Sequence, residues 1–138
     1  MSYSIAIDGP AGAGKSTIAK KLATKMNYIY VDTGAMYRAM AVYFSQNNTN
    51  PEDEAAINKG VENVDINIEY LDGVQQVILN GENVTGLLRK EETGRMASKT
   101  SKYASVRTKL VELQRKLANS TNVIMDGRDI GTTVLPNA

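Results

Sequence analysis

The chain has 138 residues, 42% hydrophobic and 22% charged, enough for one folded domain with a sizeable core. A net charge of +1 gives no bulk field toward nucleic acid or a membrane surface, and neither kind of partner is expected. With no cysteine and no histidine, the chain has no disulfides, thiol nucleophiles, Ser–His triads or Cys- and His-ligated metals.

Ser4-Ile5-Ala6-Ile7 reads as a short strand. The sequence shows no basic stretch followed by an apolar h-region, and no run of ~18 apolar residues, so a cytoplasmic location is expected. Gly9-Pro10-Ala11-Gly12-Ala13-Gly14-Lys15-Ser16 then fits G-x-x-x-x-G-K-[ST] without a mismatch. Backbone N–H groups in such a loop curl round a polyphosphate. Lys15 adds charge near the β- and γ-phosphates, and the Ser16 hydroxyl can ligate Mg²⁺. A helix is predicted from about Lys15 to Met26, with Ile18, Leu22 and Met26 on one stripe.

Tyr28-Ile29-Tyr30-Val31 does not alternate and predicts a strand buried on both faces. Asp32-Thr33-Gly34 turns into a second helix, whose apolar face is Met36, Ala39, Met40 and Tyr43. After the polar Gln46–Asn50 stretch, Pro51 suits a helix start and Gly60 a helix end. The period then changes from helical to alternating. Val64, Ile66, Ile68 and Tyr70 alternate with polar residues, Asp72-Gly73 signals a hairpin, Gln75–Leu79 returns, and Asn80-Gly81 turns again toward Val84. Residues 63–85 thus read as a small antiparallel meander. Helices are predicted at about Lys90–Ser101 and Tyr103–Asn119, the second with a core stripe of Val106, Leu110, Leu113 and Leu117. Val123-Ile124-Met125 is a third buried strand, ending in Asp126-Gly127-Arg128-Asp129.

Strand–loop–helix units with non-alternating strands imply an α/β fold: a parallel sheet with helices on both faces and ligands at the strands' carboxyl ends. All three parallel strands end in chemistry, at Asp8 with the Gly-rich loop, at Asp32-Thr33-Gly34 and at Asp126–Asp129. No Asn-Lys-x-Asp stretch is present, which argues against a GTPase. Arg38 and Arg128 lie just past strand ends. A phosphoryl group moving between two anions needs cations around the developing charge, and the arginine fork binds phosphate oxygens bidentately.

Three stretches carry a resemblance to the bacterial cytidylate kinases: Ile7–Thr17, Asp32-Thr33-Gly34-Ala35-Met36-Tyr37-Arg38, and Asp126-Gly127-Arg128-Asp129-Ile130-Gly131-Thr132. The resemblance runs the length of the chain. It implies a P-loop nucleoside monophosphate kinase core over 1–138 with sheet order 2-3-1-4-5, and an inserted monophosphate-binding subdomain at 63–88. It implies transfer of the γ-phosphoryl group of ATP to CMP or dCMP. By the same resemblance Gly9–Thr17, that is Gly9, Pro10, Ala11, Gly12, Ala13, Gly14, Lys15, Ser16 and Thr17, would hold ATP, with Ser16 on Mg²⁺. Arg38 and Arg128 would grip the acceptor phosphate beside Thr33, and act with Lys15 in catalysis. Ser98, Arg107 and Asp129 would read cytosine, whose amino donor and ring acceptors match a carboxylate, an arginine and a hydroxyl.

The family's enzymes are substantially longer. The chain is expected to stop before the fourth sheet strand and the arginine-bearing lid, leaving the strand of the Gly-rich loop at an edge and the polypeptide prone to self-association, where the full-length family is expected to be monomeric. Two alternatives stay open. One is a nucleotide-binding module without turnover. The other is a kinase for a different monophosphate, such as UMP.

Overall fold

A computed structural model describes residues 4–8, 15–26, 28–71, 74–120 and 122–127. Residues 1–34 with 111–138 form one compact unit, and residues 35–110 form a second. No helix among the described residues is long and apolar enough to cross a membrane.

The first unit is built on a parallel sheet. β1 (Ser4–Asp8), β2 (Ile29–Asp32) and β6 (Val123–Gly127) stand in the order β1-β6-β2. The order is that of the first three strands implied by the resemblance, and β1 lies at an edge among the described residues. Val123, Ile124 and Met125 are fully buried, as a middle strand covered on both faces should be. β2 is close to expectation: the adjacent Tyr30 and Val31, on opposite faces, are both buried, Ile29 is half-buried, and Asp32 leaves the core at the strand's end. α1 (Lys15–Met26) packs against β2 and β6, where Ala23, Tyr30 and Ile124 form a core with Ile5, Leu22 and Tyr28 around it. The Lys20 ammonium lies 5.6 Å from the Tyr30 ring centroid, so its stem covers the edge of that core.

The second unit takes in most of α2 (Thr33–Gln46), all of α3 (Glu54–Gly60) and α4 (Glu91–Thr100), and the start of α5 (Ala104–Ser120). It also holds an antiparallel sheet in the order β3-β4-β5, made of β3 (Ile66–Leu71), β4 (Val74–Leu79) and β5 (Glu82–Asn83). α2 buries Met36, Ala39 and Met40 completely, with Phe44 a turn further on. Two residues past its end at Gln46, Asn48 has a left-handed φ of 54°. The Thr49 N–H then reaches the Phe44 carbonyl at 2.9 Å and the Asn48 N–H the Ser45 carbonyl at 3.2 Å, which closes the open end of the helix.

At α3 one boundary expectation is corrected and the other is met for a different reason. α3 begins at Glu54 rather than at Pro51, because Asp53 caps it: its carboxylate accepts from the Ala56 N–H at 3.2 Å. α3 ends at Gly60 as expected, but not through a left-handed turn. The φ of Gly60 is −63°, and the chain continues into a 3-10 turn over Val61–Asn63. A Cβ at Gly60 would stand 3.1 Å from the buried Phe44 ring, so close approach explains this glycine.

The meander is confirmed as strands, over 66–83. The Asp72-Gly73 turn lies outside the described residues; Leu71 pairs with Val74 on either side of it. At the second turn Asn80 (φ 49°) and Gly81 (φ 84°) are both left-handed, as a two-residue type I′ hairpin requires. The Asn80 side chain accepts from the Asp65 N–H at 2.7 Å and donates to the Asn63 carbonyl at 3.0 Å, tying the turn to the entry of β3.

Candidate acceptor site

The parallel register fixes the geometry within the first unit. Asp8 pairs with Gly127 and Asp32 with Asp126, so the three strands end level at one edge of the sheet. Lys15, Ser16 and Thr17 form the first turn of α1, separated from the end of β1 by six residues. A helix start beyond a strand's carboxyl end is where backbone N–H groups and the helix dipole favour phosphate. Gly9–Gly14, Arg128 and Asp129 lie outside the described residues. Asp32 is structural: its carboxylate accepts from the Gly34 N–H at 2.9 Å and caps α2. Thr33, the first residue of α2, is buried.

Within the second unit, taken by itself, an open cleft of about 520 Å³ is lined by Arg38, Arg89, Lys90, Glu91, Gly94, Arg95, Ser98 and Lys99. Five cations share it with one carboxylate. Arg95 pairs with Glu91 at 3.1 Å across one turn of α4, but these side chains are 61% and 88% exposed, so the pair contributes only about 0.3–0.5 kcal/mol. Among the described residues Arg38, Arg89, Lys90 and Lys99 have no side-chain partner. Lys90 stands at the N-cap of α4 and offers no acceptor to its first N–H groups. Cations without counter-charges beside an uncapped helix start make this cleft suited to an anion.

The structure therefore places Arg38 and Ser98 in one cleft. Arg107, exposed on α5, is not among its lining residues; it lies near Tyr37, the neighbour of Arg38 on α2. Burial pushes the Tyr37 phenol above its ordinary value of 10.0, and the Arg107 charge pulls it back in part. Sequence reasoning missed Arg89, Lys90, Gly94, Arg95 and Lys99. The signal was present in α4, where 91, 94, 95, 98 and 99 share one helix face, yet a charged face on a helix reads equally well as solvated surface. No group of three or more acidic side chains placed to hold a metal occurs among the described residues.

The family model for cytidylate kinase matches residues 5–138. The chain belongs to the cytidylate kinase family. It is 54% identical over 134 residues to a cytidylate kinase of Caldicellulosiruptor bescii, covering 97% of this chain and 59% of that protein. It is 51% identical over 134 residues to that of Carboxydothermus hydrogenoformans, covering 97% and 60%. It is 50% identical over 137 residues to that of Leuconostoc mesenteroides subsp. mesenteroides, covering 99% and 61%. The chain thus spans about 60% of the length of the curated relatives it matches. Membership agrees with a mixed α/β architecture of parallel sheet, flanking helices and small antiparallel sheet.

Proposed function

We propose that the protein takes part in transfer of the γ-phosphoryl group of ATP to cytidine or deoxycytidine monophosphate. The observation that carries this reading is the cleft: Arg38 and Ser98, from different helices, line one cavity rich in unpaired cations. Family membership supports the acceptor's identity.

In this reading Gly9–Thr17 cradle the ATP phosphates and Lys15 sits near the transferred group. Mg²⁺, held through Ser16, would offset phosphate charge; a hydroxyl in the first turn of α1 is a suitable hard-oxygen ligand. Arg38 and Arg128 grip the acceptor phosphate beside Thr33. Ser98 and Arg107 donate to the ring acceptors of cytosine, and Asp129 accepts from its amino group. Uracil inverts that donor–acceptor pattern, so it leaves these groups unpaired and is rejected. No strong base is needed: alignment and charge supply most of the acceleration in phosphoryl transfer.

The test is ADP formation from ATP and Mg²⁺ with cytidine, deoxycytidine or uridine monophosphate, alongside calorimetric binding of each acceptor. Turnover with a preference for cytosine nucleotides is expected. A preference for the uridine nucleotide removes the cytosine-reading assignment. Binding without ADP assigns the chain a nucleotide-holding role and removes the turnover claim.

A further inference from the structure

Gly94 lies in the middle of α4 and lines the cleft. Glycine weakens a helix relative to alanine because it has more backbone freedom to lose on folding. A mid-helix glycine has a ready explanation where the backbone needs a positive φ or where another part of the chain approaches closely. Neither holds here. The positive-φ residues described are Asn48, Asn80 and Gly81. Apart from its chain neighbours and its own helix backbone, no described atom lies within 4 Å of where a Gly94 Cβ would stand. At Gly60, by contrast, that atom would meet Phe44.

The space over Gly94 is the cleft. Ser98, one turn along the same helix face, has no side-chain partner among the described residues. Arg38 comes from α2 and Arg89 from the turn ahead of α4. A bare stretch of helix backbone beside a free hydroxyl, in a cleft that two unpaired guanidinium groups also line, fits a flat heterocycle joined to a phosphate. We propose that Gly94 is a specificity-determining residue of the acceptor site: the nucleoside of a pyrimidine monophosphate lies against α4 at Gly94, with its phosphate directed to Arg38 and Arg89. A methyl group at 94 would occupy space that the ligand needs and that the protein does not use. The inference rests on reading this cleft as the acceptor site.

The test combines calorimetry and thermal melts on the chain and two variants, Gly94→Ala and Gly86→Ala. Gly86 also has open space around its Cβ position but does not line the cleft, so it is the control. Gly94→Ala is expected to raise the melting temperature by a few degrees while weakening cytidine monophosphate binding by ~10-fold or more. Inorganic phosphate, which lacks the nucleoside, should bind both chains alike, and Gly86→Ala should keep the parent affinity. Unchanged nucleotide affinity in Gly94→Ala overturns the inference and leaves the acceptor reading intact. A lowered melting temperature makes the glycine structural and overturns it as well, and equal loss of phosphate binding removes the placement of the nucleoside. A parent chain that takes up phosphate but no cytidine monophosphate fails at the acceptor reading, and the inference falls with it.

Discussion

At the scale of single residues, the cleft separates cations that should touch an anion from cations that should only attract it. Arg38 and Arg89 are unpaired guanidinium groups able to bind phosphate bidentately. Replacing either by alanine should weaken cytidine monophosphate binding by ~10-fold or more, since a charge-assisted hydrogen bond contributes about 1.5–3 kcal/mol. Lys99, a more flexible point charge, should contribute through the field alone. Lys99→Ala should then cost little, and calorimetry in dilute and in molar salt should find that effect gone when the Debye length falls to about 3 Å. Tyr37 supports a different prediction. Burial favours its neutral form, so its folded value lies above 10.0 and the folded chain holds the proton more tightly than the unfolded one. The resulting stability is complete below pH 10 and is lost as pH rises through the folded value. Urea titrations should find Tyr37→Phe no less sensitive than the parent near neutrality and more resistant above about pH 10. Arg38 was legible in the sequence because it follows a strand end and an Asp-Thr-Gly turn. Arg89, Lys99 and Gly94 were not, because their meaning depends on which cleft the α4 face lines.

Among the elements, local spacing carried most of the information. The core stripe of α5 follows from side-chain periodicity, and the β4–β5 turn follows from Asn-Gly. α1 is a helix as expected, but the stripe read from its spacing is not its buried face: Ile18 and Met26 are exposed and Ala23 is buried. The misread start of α3 has a local competitor, since Asp53 offers a better cap than Pro51 offers a start; its end at Gly60 was read correctly, but that glycine serves the Phe44 ring rather than a reversal of hand. Strand order was not written locally. Nothing in Val123-Ile124-Met125 says that β6 inserts between β1 and β2; that expectation came from family resemblance. The β4–β5 turn allows conformational strain and hydrogen bonding to be separated. Gly81→Ala meets no atom within 4 Å, so its cost should be the left-handed φ alone, about 1–2 kcal/mol. Asn80→Ala keeps a left-handed residue and also loses the bonds to Asp65 and Asn63, so it should cost more, about 2–3 kcal/mol. Chemical denaturation of both variants checks the order; a Gly81 variant that is the more damaged would show that the tie to β3 carries little.

For the whole molecule, the decisive feature is the parallel sheet's edge. β1 is paired with β6 on one side and with no described strand on the other. Its sequence, Ser4-Ile5-Ala6-Ile7-Asp8, carries a charge only at its last residue, where it hinders pairing least. α1 in the same unit exposes Ile18 (57%) and Met26 (42%), apolar side chains of the kind that a neighbour covers. Natural sheets protect such edges with charge, proline, bulges or a covering element. A net charge of +1 adds almost no repulsion between copies. The 138-residue polypeptide should therefore associate through β1 and α1 as concentration rises, with sedimentation velocity showing a shift from monomer to larger species. Ala6→Lys, at the edge itself, and Ile18→Lys, on the exposed helix face, should each move that shift to higher concentration without lowering the affinity of the cationic cleft. A cooperative monomer at all concentrations would mean that β1's free side is already covered within the chain. Association untouched by both lysines would move the contact to Tyr70, Leu71 and Val74, the exposed apolar residues flanking the β3–β4 turn.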